Sequence, residues 1–365
     1  MNGDGFDDLI IGAFSADVGS ERFAGESYVM FGKSGGFASA VDLSTLDGTT
    51  GFRLDGIDEA DRSGRAVASA GDVNGDGFDD LLIGAYGADP GSDSFAGESY
   101  VVFGKSGGFA SAIDLSALDG TTGFRLDGID VSDYSGRAVS DAGDVNGDGF
   151  DDLIIGAYKA DLGGGIFSSG ESYVVFGKSG GFASAIDLSA LDGTTGFRLD
   201  GIHVADFSGR TVSGAGDVNG DGFADVIIGA YRTQVDAAFF SGESYVVFGK
   251  SGSFASAVDL SALDGTTGFR LDGIDMDDLS GYSVSGAGDV NGDGFDDVLI
   301  GASGANGDAG ESYVVFGKSG GFASAIDLST LDGTTGFRLD GIDAFDDSGF
   351  SVSRAGDVNG AASTT

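Results

Sequence analysis

Short apolar runs alternate with glycine-rich and acidic segments along the whole chain. In residues 63–130, SGRAVASAGDV alternates small and apolar residues, FDDLLIGAY holds a continuous apolar run, and ESYVVFGK and FRLDGI complete the copy. Short runs of aromatic and β-branched residues bounded by turn residues are typical of β-strands. The pattern predicts four strands per copy, labelled A to D in chain order. The IDLSAL part of the C–D link predicts at most one helical turn.

The four-strand pattern returns at a nearly constant interval. The Asn of the NGDG sequence lies 72, 72, 73 and 72 residues apart, at Asn2, Asn74, Asn146, Asn219 and Asn291. A sixth, incomplete copy begins at Asp357. A fixed period of this size indicates a solenoid, a propeller or an array. Four antiparallel strands per copy favour a propeller blade, because a parallel β-helix would repeat about every nine or twenty residues.

We therefore predict an all-β fold, a β-propeller of five four-stranded blades in one domain of residues 1–365. The first blade is expected to combine residues 1–58 with a C-terminal strand A from residues 347–359, which would close the ring and remove both exposed sheet edges. The other blades are predicted at residues 63–130, 135–203, 208–275 and 280–343, followed by a tail at 360–365. The alternatives are a fragment of a larger ring and a strand exchanged between neighbouring chains.

Composition agrees with a folded chain and restricts its partners. The sequence has 70 glycines, one proline and no cysteine, and it is 41% hydrophobic, which is too apolar for a disordered linker. Its formal net charge of −41 comes from 59 acidic and 18 basic residues. This charge argues against nucleic acid as a partner, because phosphate binding needs positive charge. No stretch approaches about 18 consecutive apolar residues, so no transmembrane segment is predicted.

The turn between strands A and B carries the candidate metal ligands. In the loop DVNGDGFDD, residues 72–80, oxygen-bearing side chains occupy positions 1, 3, 5 and 9, and Gly77 at position 6 permits a sharp reversal. The spacing matches the first nine positions of an EF-hand loop, in which position 7 contributes its backbone carbonyl. Because Ca²⁺ prefers oxygen ligands, the loop predicts a structural calcium site in each A–B hairpin. A row of Asx turns without an ion is the alternative.

Four complete loops and one incomplete loop supply the predicted ligands. The complete sites are Asp72, Asn74, Asp76, Phe78 and Asp80; Asp144, Asn146, Asp148, Phe150 and Asp152; Asp217, Asn219, Asp221, Phe223 and Asp225; and Asp289, Asn291, Asp293, Phe295 and Asp297. The first loop retains Asn2, Asp4, Phe6 and Asp8. Asp357 is expected to supply the missing position 1 of that loop if the ring closes, which would give a fifth Ca²⁺ site.

Other recurring residues are not predicted to be ligands. Position 8 is an aspartate in three complete loops but Ala224 in the remaining one, so it is not required for binding. Glu98, Lys105 and Arg125 have equivalents in every copy, and we expect them to form salt bridges between blades. His203 is the single histidine and nothing positions partners for it. We therefore predict no catalytic residues and do not expect an enzyme.

The combination of SGxxVxxAGDVNGDGxDDLLIGA with GESYVVFGK resembles FG-GAP repeats, the units of the integrin α-subunit propeller, over essentially the whole chain. The resemblance implies a β-propeller with Ca²⁺ in the A–B hairpins, at the ligand positions given above. It also implies a role in extracellular adhesion or recognition. The near-identical copies look like those of bacterial surface or secreted repeat proteins, which implies a bacterial chain at or outside the cell surface.

The B–C and D–A segments differ most among the copies, whereas the acidic loops and C–D links are nearly uniform. In an A-B-C-D meander the variable segments emerge on one face and the calcium hairpins on the other. The variable face, with Phe95, Tyr134, Phe167 and Phe239 as candidate contacts, is the predicted binding surface for a protein or glycan ligand. The alternatives are a structural protein that polymerises with copies of itself into fibres or layers, and a polysaccharide-acting enzyme on a propeller scaffold.

Overall fold

The computed structural model describes residues 1–162, 167–235 and 240–356, and these residues form 23 strands in five sheets. The first sheet contains β1 (Leu9–Ala13), β2 (Glu26–Met30), β3 (Gly51–Asp55) and β7 (Ala112–Asp114). The second contains β4 (Ala66–Gly71), β5 (Asp80–Ala85), β6 (Glu98–Val102), β8 (Gly123–Asp127) and β12 (Ala185–Asp187). The third contains β9 (Ala138–Gly143), β10 (Asp152–Ala157), β11 (Glu171–Val175), β13 (Gly196–Asp200) and β17 (Ala257–Asp259).

The last two sheets follow the same plan. The fourth contains β14 (Thr211–Gly216), β15 (Asp225–Ala230), β16 (Glu243–Val247), β18 (Gly268–Asp272) and β22 (Ala325–Asp327). The fifth contains β19 (Ser280–Gly288), β20 (Asp297–Ala302), β21 (Glu311–Val315) and β23 (Gly336–Asp340). A four-residue helical turn, Ala305–Asp308, follows β20. The predicted strands A to D pair antiparallel in chain order within each repeat, so the all-β prediction is confirmed.

Four short strands in the C–D links were not predicted. β7, β12, β17 and β22 each pair in parallel with strand D of the preceding repeat, as where Ile113 lies opposite Leu54. The predicted helical turn is a one-turn 3₁₀ helix after each short strand, and Asp114 caps one of them by accepting the N–H of Ser116 at 2.9 Å. The 3₁₀ helices are Leu43–Thr45, Leu115–Ala117, Leu188–Ala190, Leu260–Ala262 and Leu328–Thr330. Each repeat therefore extends into the sheet of its predecessor.

The core lies between successive sheets. Four apolar clusters in the described residues fill the spaces from the first sheet to the fifth, and aromatic stacking joins strand D to the next repeat. The rings of Phe52 and Phe109 stack with centroids 4.5 Å apart, for example. Glycine in strand B lets the next sheet approach, because a Cβ on Gly84 would lie 2.0 Å from the Gly136 carbonyl oxygen. Face-to-face sheets joined in this way are consistent with a β-propeller.

The five sheets do not close a ring within the described residues. β1 pairs only with β2, and Leu9 is 54% exposed whereas its equivalent Leu81 is 7% exposed. The C-terminal residues 348–356 lie against the fifth sheet instead, where the carbonyl of Gly349 accepts the Ser283 hydroxyl at 2.8 Å. The expected pairing of the C-terminal strand with the first blade is therefore not confirmed. A ring of exactly five blades and the blade boundaries stay predictions.

Candidate metal loops and the variable loop face

The position-1 aspartate shapes each complete A–B loop. Asp72 accepts the N–H groups of Gly75 (2.8 Å) and Asp76 (3.0 Å) at Oδ1 and that of Gly77 (2.8 Å) at Oδ2. Gly75 and Gly77 have φ angles of 74° and 88°, which favour glycine over residues with a Cβ. The same bonds recur at the other three complete loops. The DxNGDG sequence thus folds a tight loop around the carboxylate of its first residue.

The side chains at positions 3 and 5 point into the same loop. Asn74 Oδ1 accepts the N–H of Asp76 at 2.9 Å, and Asp76 Oδ1 accepts the N–H of Phe78 at 3.0 Å. In the next loop, Asn146 Oδ1 is buried and has no hydrogen-bond partner among the described residues. Burying an amide oxygen without a hydrogen-bond donor costs free energy. This oxygen therefore has a free lone pair for a cation or another donor.

The position-9 aspartate is the most buried member of the set. Asp80 is fully buried, and its Oδ1 and Oδ2 accept the N–H groups of Gly104 (2.8 Å) and Val73 (3.1 Å). Burial raises the pKa of Asp80 to about 7, and the charge of Asp76 contributes. Burial also raises the pKa values of Asp152 and Asp225 to about 8. The side chain therefore ties the loop to the end of strand C, at the cost of a buried negative charge.

The donor chemistry of the loops fits Ca²⁺, although the loop carboxylates are turned toward backbone N–H groups. Within the described ranges, no three His, Cys, Asp or Glu side chains come close enough together to hold a metal ion. Each complete loop nevertheless places three carboxylates, one amide oxygen and one backbone carbonyl within nine residues, and Ca²⁺ takes such oxygen ligands. A carboxylate oxygen that accepts one hydrogen bond keeps a second lone pair. Calcium binding stays a prediction that these residues allow.

The incomplete first loop keeps part of the same arrangement. Asp4 Oδ1 accepts the N–H of Phe6 at 3.0 Å, and Asp8 Oδ1 accepts the N–H of Gly32 at 2.9 Å. Asp8 Oδ2 has no hydrogen-bond partner among the described residues and lies 3.6 Å from the Met1 ammonium. Asp357, the expected position-1 ligand of this loop, lies outside the described residues. The split fifth site therefore remains a prediction.

At two complete loops, the aspartate at position 8 links its loop to the preceding one, a role that the sequence pattern did not reveal. Asp151 Oδ2 accepts the backbone N–H of Asp72 at 2.8 Å, so the third sheet holds the loop of the second. The loops also pack together, because a Cβ on Gly75 would lie 2.3 Å from Cε1 of Phe150. Ala224 cannot make the position-8 bond. Near Ala224, the carboxylate of Asp141 on β9 accepts the N–H of Gly143 at 2.8 Å.

The recurring ion pairs lie within sheets and not between blades as expected. Arg125 on β8 contacts Glu98 on the neighbouring strand β6 at 3.5 Å and also pairs with Asp127. The Lys105 ammonium lies 4.9 Å from the centre of the Phe109 ring, which makes a cation–π contact. The expectation was wrong because strand pairing places Glu98 and Arg125 on one sheet, whereas apolar packing fills the space between sheets.

The variable B–C and D–A segments lie together. The N–H of Tyr134 donates to the carbonyl of Phe95 at 3.0 Å, and that of Ser132 donates to Ser94 at 2.9 Å. Phe95 is 42% exposed and Phe167 is 63% exposed, whereas Tyr134 is half-buried. Phe239 lies outside the described residues. The two kinds of variable segment therefore lie side by side here, and Phe95 and Phe167 present aromatic side chains to solvent.

These observations define an all-β repeat protein with propeller-type sheets and acidic, oxygen-rich hairpins. The FG-GAP repeat model matches residues 63–102, 138–175, 208–247 and 280–315. Each match covers strand A, the acidic loop, strand B and strand C of one repeat. The chain therefore contains four FG-GAP repeats, as its sequence motifs implied.

Among curated proteins, the chain is similar in sequence to integrin α chains and to an enzyme. The chain is 29% identical to integrin alpha-V of Gallus gallus over 236 residues, which cover 63% of this chain and 19% of the relative. It is 30% identical to integrin alpha-5 of Xenopus laevis over 166 residues, 44% of this chain and 14% of the relative. It is 34% identical to phosphatidylinositol-glycan-specific phospholipase D of Bos taurus over 192 residues, 50% of this chain and 21% of the relative.

The chain spans about a fifth or less of the length of these relatives. Because one of them is named as a phospholipase, similarity to these repeats does not separate enzymes from integrin α chains. The absence of enzyme activity therefore stays a prediction. No helix in the described part of the chain is long and apolar enough to cross a membrane.

Proposed function

We propose that this chain is a calcium-stabilised β-propeller module for extracellular adhesion or recognition. The carrying observation is that one loop contains a fully buried position-9 aspartate, two further carboxylates and a hydrogen bond to the next sheet. Similarity to integrin α chains supports the adhesion or recognition role. The acidic loops would serve stability, and the variable face would serve ligand binding.

The ion would be held by Asp72, Asn74, Asp76, Asp80 and the carbonyl of Phe78, and by their equivalents in the other complete loops. Bound Ca²⁺ supplies positive charge to clustered carboxylates that otherwise repel one another. The bonds from Asp80 to Gly104 and from Asp151 to Asp72 then connect the loop to strand C and to the following sheet. Filling the loops should therefore stabilise the packing of neighbouring sheets and not the hairpins alone.

The expected stabilisation is comparable with the stability of a typical domain. Extracellular calcium modules bind with dissociation constants of about 10⁻⁴ to 10⁻³ M. In ~10 mM Ca²⁺ such a site adds roughly 1.4–2.7 kcal/mol to the free energy of unfolding, provided that the unfolded chain does not bind. Four sites would add several kcal/mol. Sites of this affinity would be filled in an extracellular medium that contains millimolar Ca²⁺.

Calorimetric unfolding in Ca²⁺, in Mg²⁺ and in EDTA tests the calcium part of the proposal. We expect a clearly higher Tm in Ca²⁺ than in EDTA and a smaller rise in Mg²⁺, because Mg²⁺ demands stricter octahedral geometry. Identical unfolding curves in Ca²⁺ and EDTA would rule the proposal out. The recognition part is tested by screening the calcium-loaded chain against glycan and extracellular-protein arrays.

A second candidate function, self-assembly into fibres or layers, is favoured by the open ends of the sheet array. The described residues leave one edge of β1 unpaired, with Leu9 54% and Ile11 39% exposed. An unpaired apolar strand edge is a template for pairing with another chain. Light scattering across a concentration series, with and without Ca²⁺, tests this candidate. A mass that grows with concentration supports assembly, and a constant monomer mass excludes it.

A further inference from the structure

Basic residues are concentrated on the variable loop face. Of the 18 lysines and arginines, ten occupy the repeated positions equivalent to Lys105 and Arg125. Seven of the other eight lie in the variable segments or within three residues of them: Arg22, Arg62, Arg65, Arg137, Lys159, Arg210 and Arg232. The same segments also hold acidic residues, among them Asp89, Asp93 and Asp133, so a site for an anion on this face depends on a local group of cations.

Three of these arginines lie at the same end of neighbouring strands. Arg65, Arg137 and Arg210 each directly precede the strand A of their repeat, which is β4, β9 and β14, respectively. Strand β9 packs between β4 and β14. Burial, followed by the charges of Arg210 and Arg65, lowers the pKa of Arg137 to about 10. The three guanidinium groups therefore share one small region and repel one another.

Aromatic rings, not carboxylates, hold the three side chains. Arg137 lies 5.8 Å from the centre of the Tyr86 ring, and Arg210 lies 6.0 and 5.5 Å from the Tyr158 and Tyr282 rings. Across residues 1–162, 167–235 and 240–356, none of the three guanidinium groups forms an ion pair or a hydrogen bond. By contrast, Arg125 and its repeated equivalents all pair with a glutamate.

Unpaired guanidinium groups held by their flat faces leave their N–H donors available. A guanidinium presents five such donors in a rigid planar fork that matches the geometry of an oxyanion. Arg65 is exposed, and Arg137 and Arg210 are half-buried, so a ligand can reach them while the aromatic rings limit competition from water. Three adjacent cations without anions are therefore complementary to a negatively charged ligand group.

We propose that Arg65, Arg137 and Arg210 form a binding site for the carboxylate or sulfate group of an acidic glycan. This inference rests on the proposed recognition function and names its ligand class. The neighbouring Tyr86, Tyr158 and Tyr282 rings offer flat surfaces against which the C–H face of a sugar can pack beside the charged group. The same composition of tyrosine and arginine is enriched at binding hot spots.

The charge of the whole chain favours a sugar over a densely charged partner. The net charge of −41 opposes nucleic acid or a strongly acidic protein wherever such a partner extends beyond the arginines. At physiological salt, screening acts over about 8 Å, so a single oxyanion at the three arginines is little affected by distant carboxylates. A glycan that carries one acidic group among neutral hydroxyls meets both conditions.

Titration calorimetry with the calcium-loaded chain tests the site. Two probes are acidic: a glucose tetrasaccharide in which one residue is glucuronic acid, and a glucose tetrasaccharide that carries one sulfate instead. The two comparison probes are the uncharged glucose tetrasaccharide and a short glutamate peptide. We expect at least one acidic sugar to bind, the glucose tetramer to bind at least about tenfold more weakly, and Arg137→Gln or Arg65→Gln to reduce acidic-sugar affinity at least about tenfold. The carboxylated and sulfated probes show which oxyanion is preferred.

Lys178→Gln is the matched control, because Lys178 also contacts an aromatic ring, Phe182 at 5.0 Å, but lies beside the acidic loops. It removes the same charge and should leave acidic-sugar affinity unchanged. Equal losses in Lys178→Gln and Arg137→Gln, equal binding of the glucose tetramer, or binding of the peptide alone would overturn the inference. If acidic sugars fail while calcium-dependent stability and another ligand of the loop face persist, this inference fails and the proposed function stands. If no ligand of any class binds the loop face, the recognition function fails as well.

Discussion

The carboxylate of Asp151 accepts the backbone N–H of Asp72 across the boundary between the second and third sheets, with Oδ2 and N 2.8 Å apart. Asp296 makes the same bond to Asp217 at 2.9 Å. Because Asp72 and Asp217 each hold three backbone N–H groups of their own loops, the bond reaches the residue that organises the loop. One acidic loop is therefore held in place by the next along the chain.

Asp151→Ala should weaken this link between sheets. The substitution removes a charge-assisted hydrogen bond and leaves the Asp72 N–H without its acceptor, so we expect a loss of about 1–2 kcal/mol in the free energy of unfolding. Chemical denaturation in saturating Ca²⁺ measures the change. Asp79→Ala is the matched control, since Asp79 occupies position 8 of its loop but has no acceptor role toward another loop in the described residues. Equal losses in the two variants would contradict the linking role.

Asp61 should make the stability of the chain depend on pH. Burial, together with the charges of Glu98 and Asp58, raises its pKa from 3.8 to about 7. The folded chain keeps this proton between about pH 4 and 7, whereas the unfolded chain releases it. The free energy of unfolding should therefore fall as pH rises through this window, and the penalty is complete above about pH 7.

Asp61→Asn should remove this part of the pH dependence. In the parent chain, Asp61 Oδ2 accepts the N–H of Asp58 at 3.0 Å. The amide oxygen of an asparagine can accept the same N–H without placing a charge in a buried position. We expect the variant to match the parent near pH 4 and to exceed it by on the order of 1–3 kcal/mol at pH 8. Asp346→Asn is the control, because Asp346 accepts the equivalent N–H of Asp343 at 3.2 Å on an exposed loop. A parallel pH profile for parent and Asp61→Asn would refute the assignment.

A disulfide test addresses the open first sheet. The chain has no cysteine, so an introduced pair of cysteines has no competitor. Val67 and Ile83 lie opposite each other on β4 and β5, and their equivalents are Val352 and Ile11. The test pair is therefore Ile11→Cys on β1 with Val352→Cys in the C-terminal segment. Residues 348–356 lie on the fifth sheet, so we expect no disulfide between the two positions within a monomer. Non-reducing electrophoresis and mass spectrometry after mild oxidation give the answer. A disulfide within one chain would instead support the ring of five blades, and one between chains would support strand exchange.

The sequence predicted strands A to D and the A–B hairpins because each has a strong local signal. β5 is a continuous apolar run, and Gly75 and Gly77 lie where the loop needs positive φ angles. β7 was missed because three residues are too few to show a period, and its pairing with β3 depends on a distant segment. The bond from Asp151 to Asp72 joins residues 79 positions apart, so no local pattern records it.

The predictions about neighbouring sheets were the less successful ones for the same reason. The salt bridge of Arg125 with Glu98 depends on which strands pair, and the path of residues 348–356 depends on the fifth sheet. The three unpaired arginines also become apparent only when β4, β9 and β14 lie side by side. In this repeat protein, local sequence determines the hairpins, whereas packing between repeats determines how their surfaces are used.

Calcium stoichiometry tests the central claim most directly. In the parent chain, Asp148 Oδ1 accepts the N–H of Phe150 at 3.1 Å. Asp148→Asn keeps an acceptor for this N–H but removes one carboxylate from a complete loop. Isothermal titration of the parent, of Asp148→Asn and of the position-8 control Asp79→Asn counts the sites. The account predicts at least four Ca²⁺ per parent chain, one fewer in Asp148→Asn, and no change in Asp79→Asn. No binding at millimolar Ca²⁺, or the same stoichiometry in Asp148→Asn as in the parent, would contradict it.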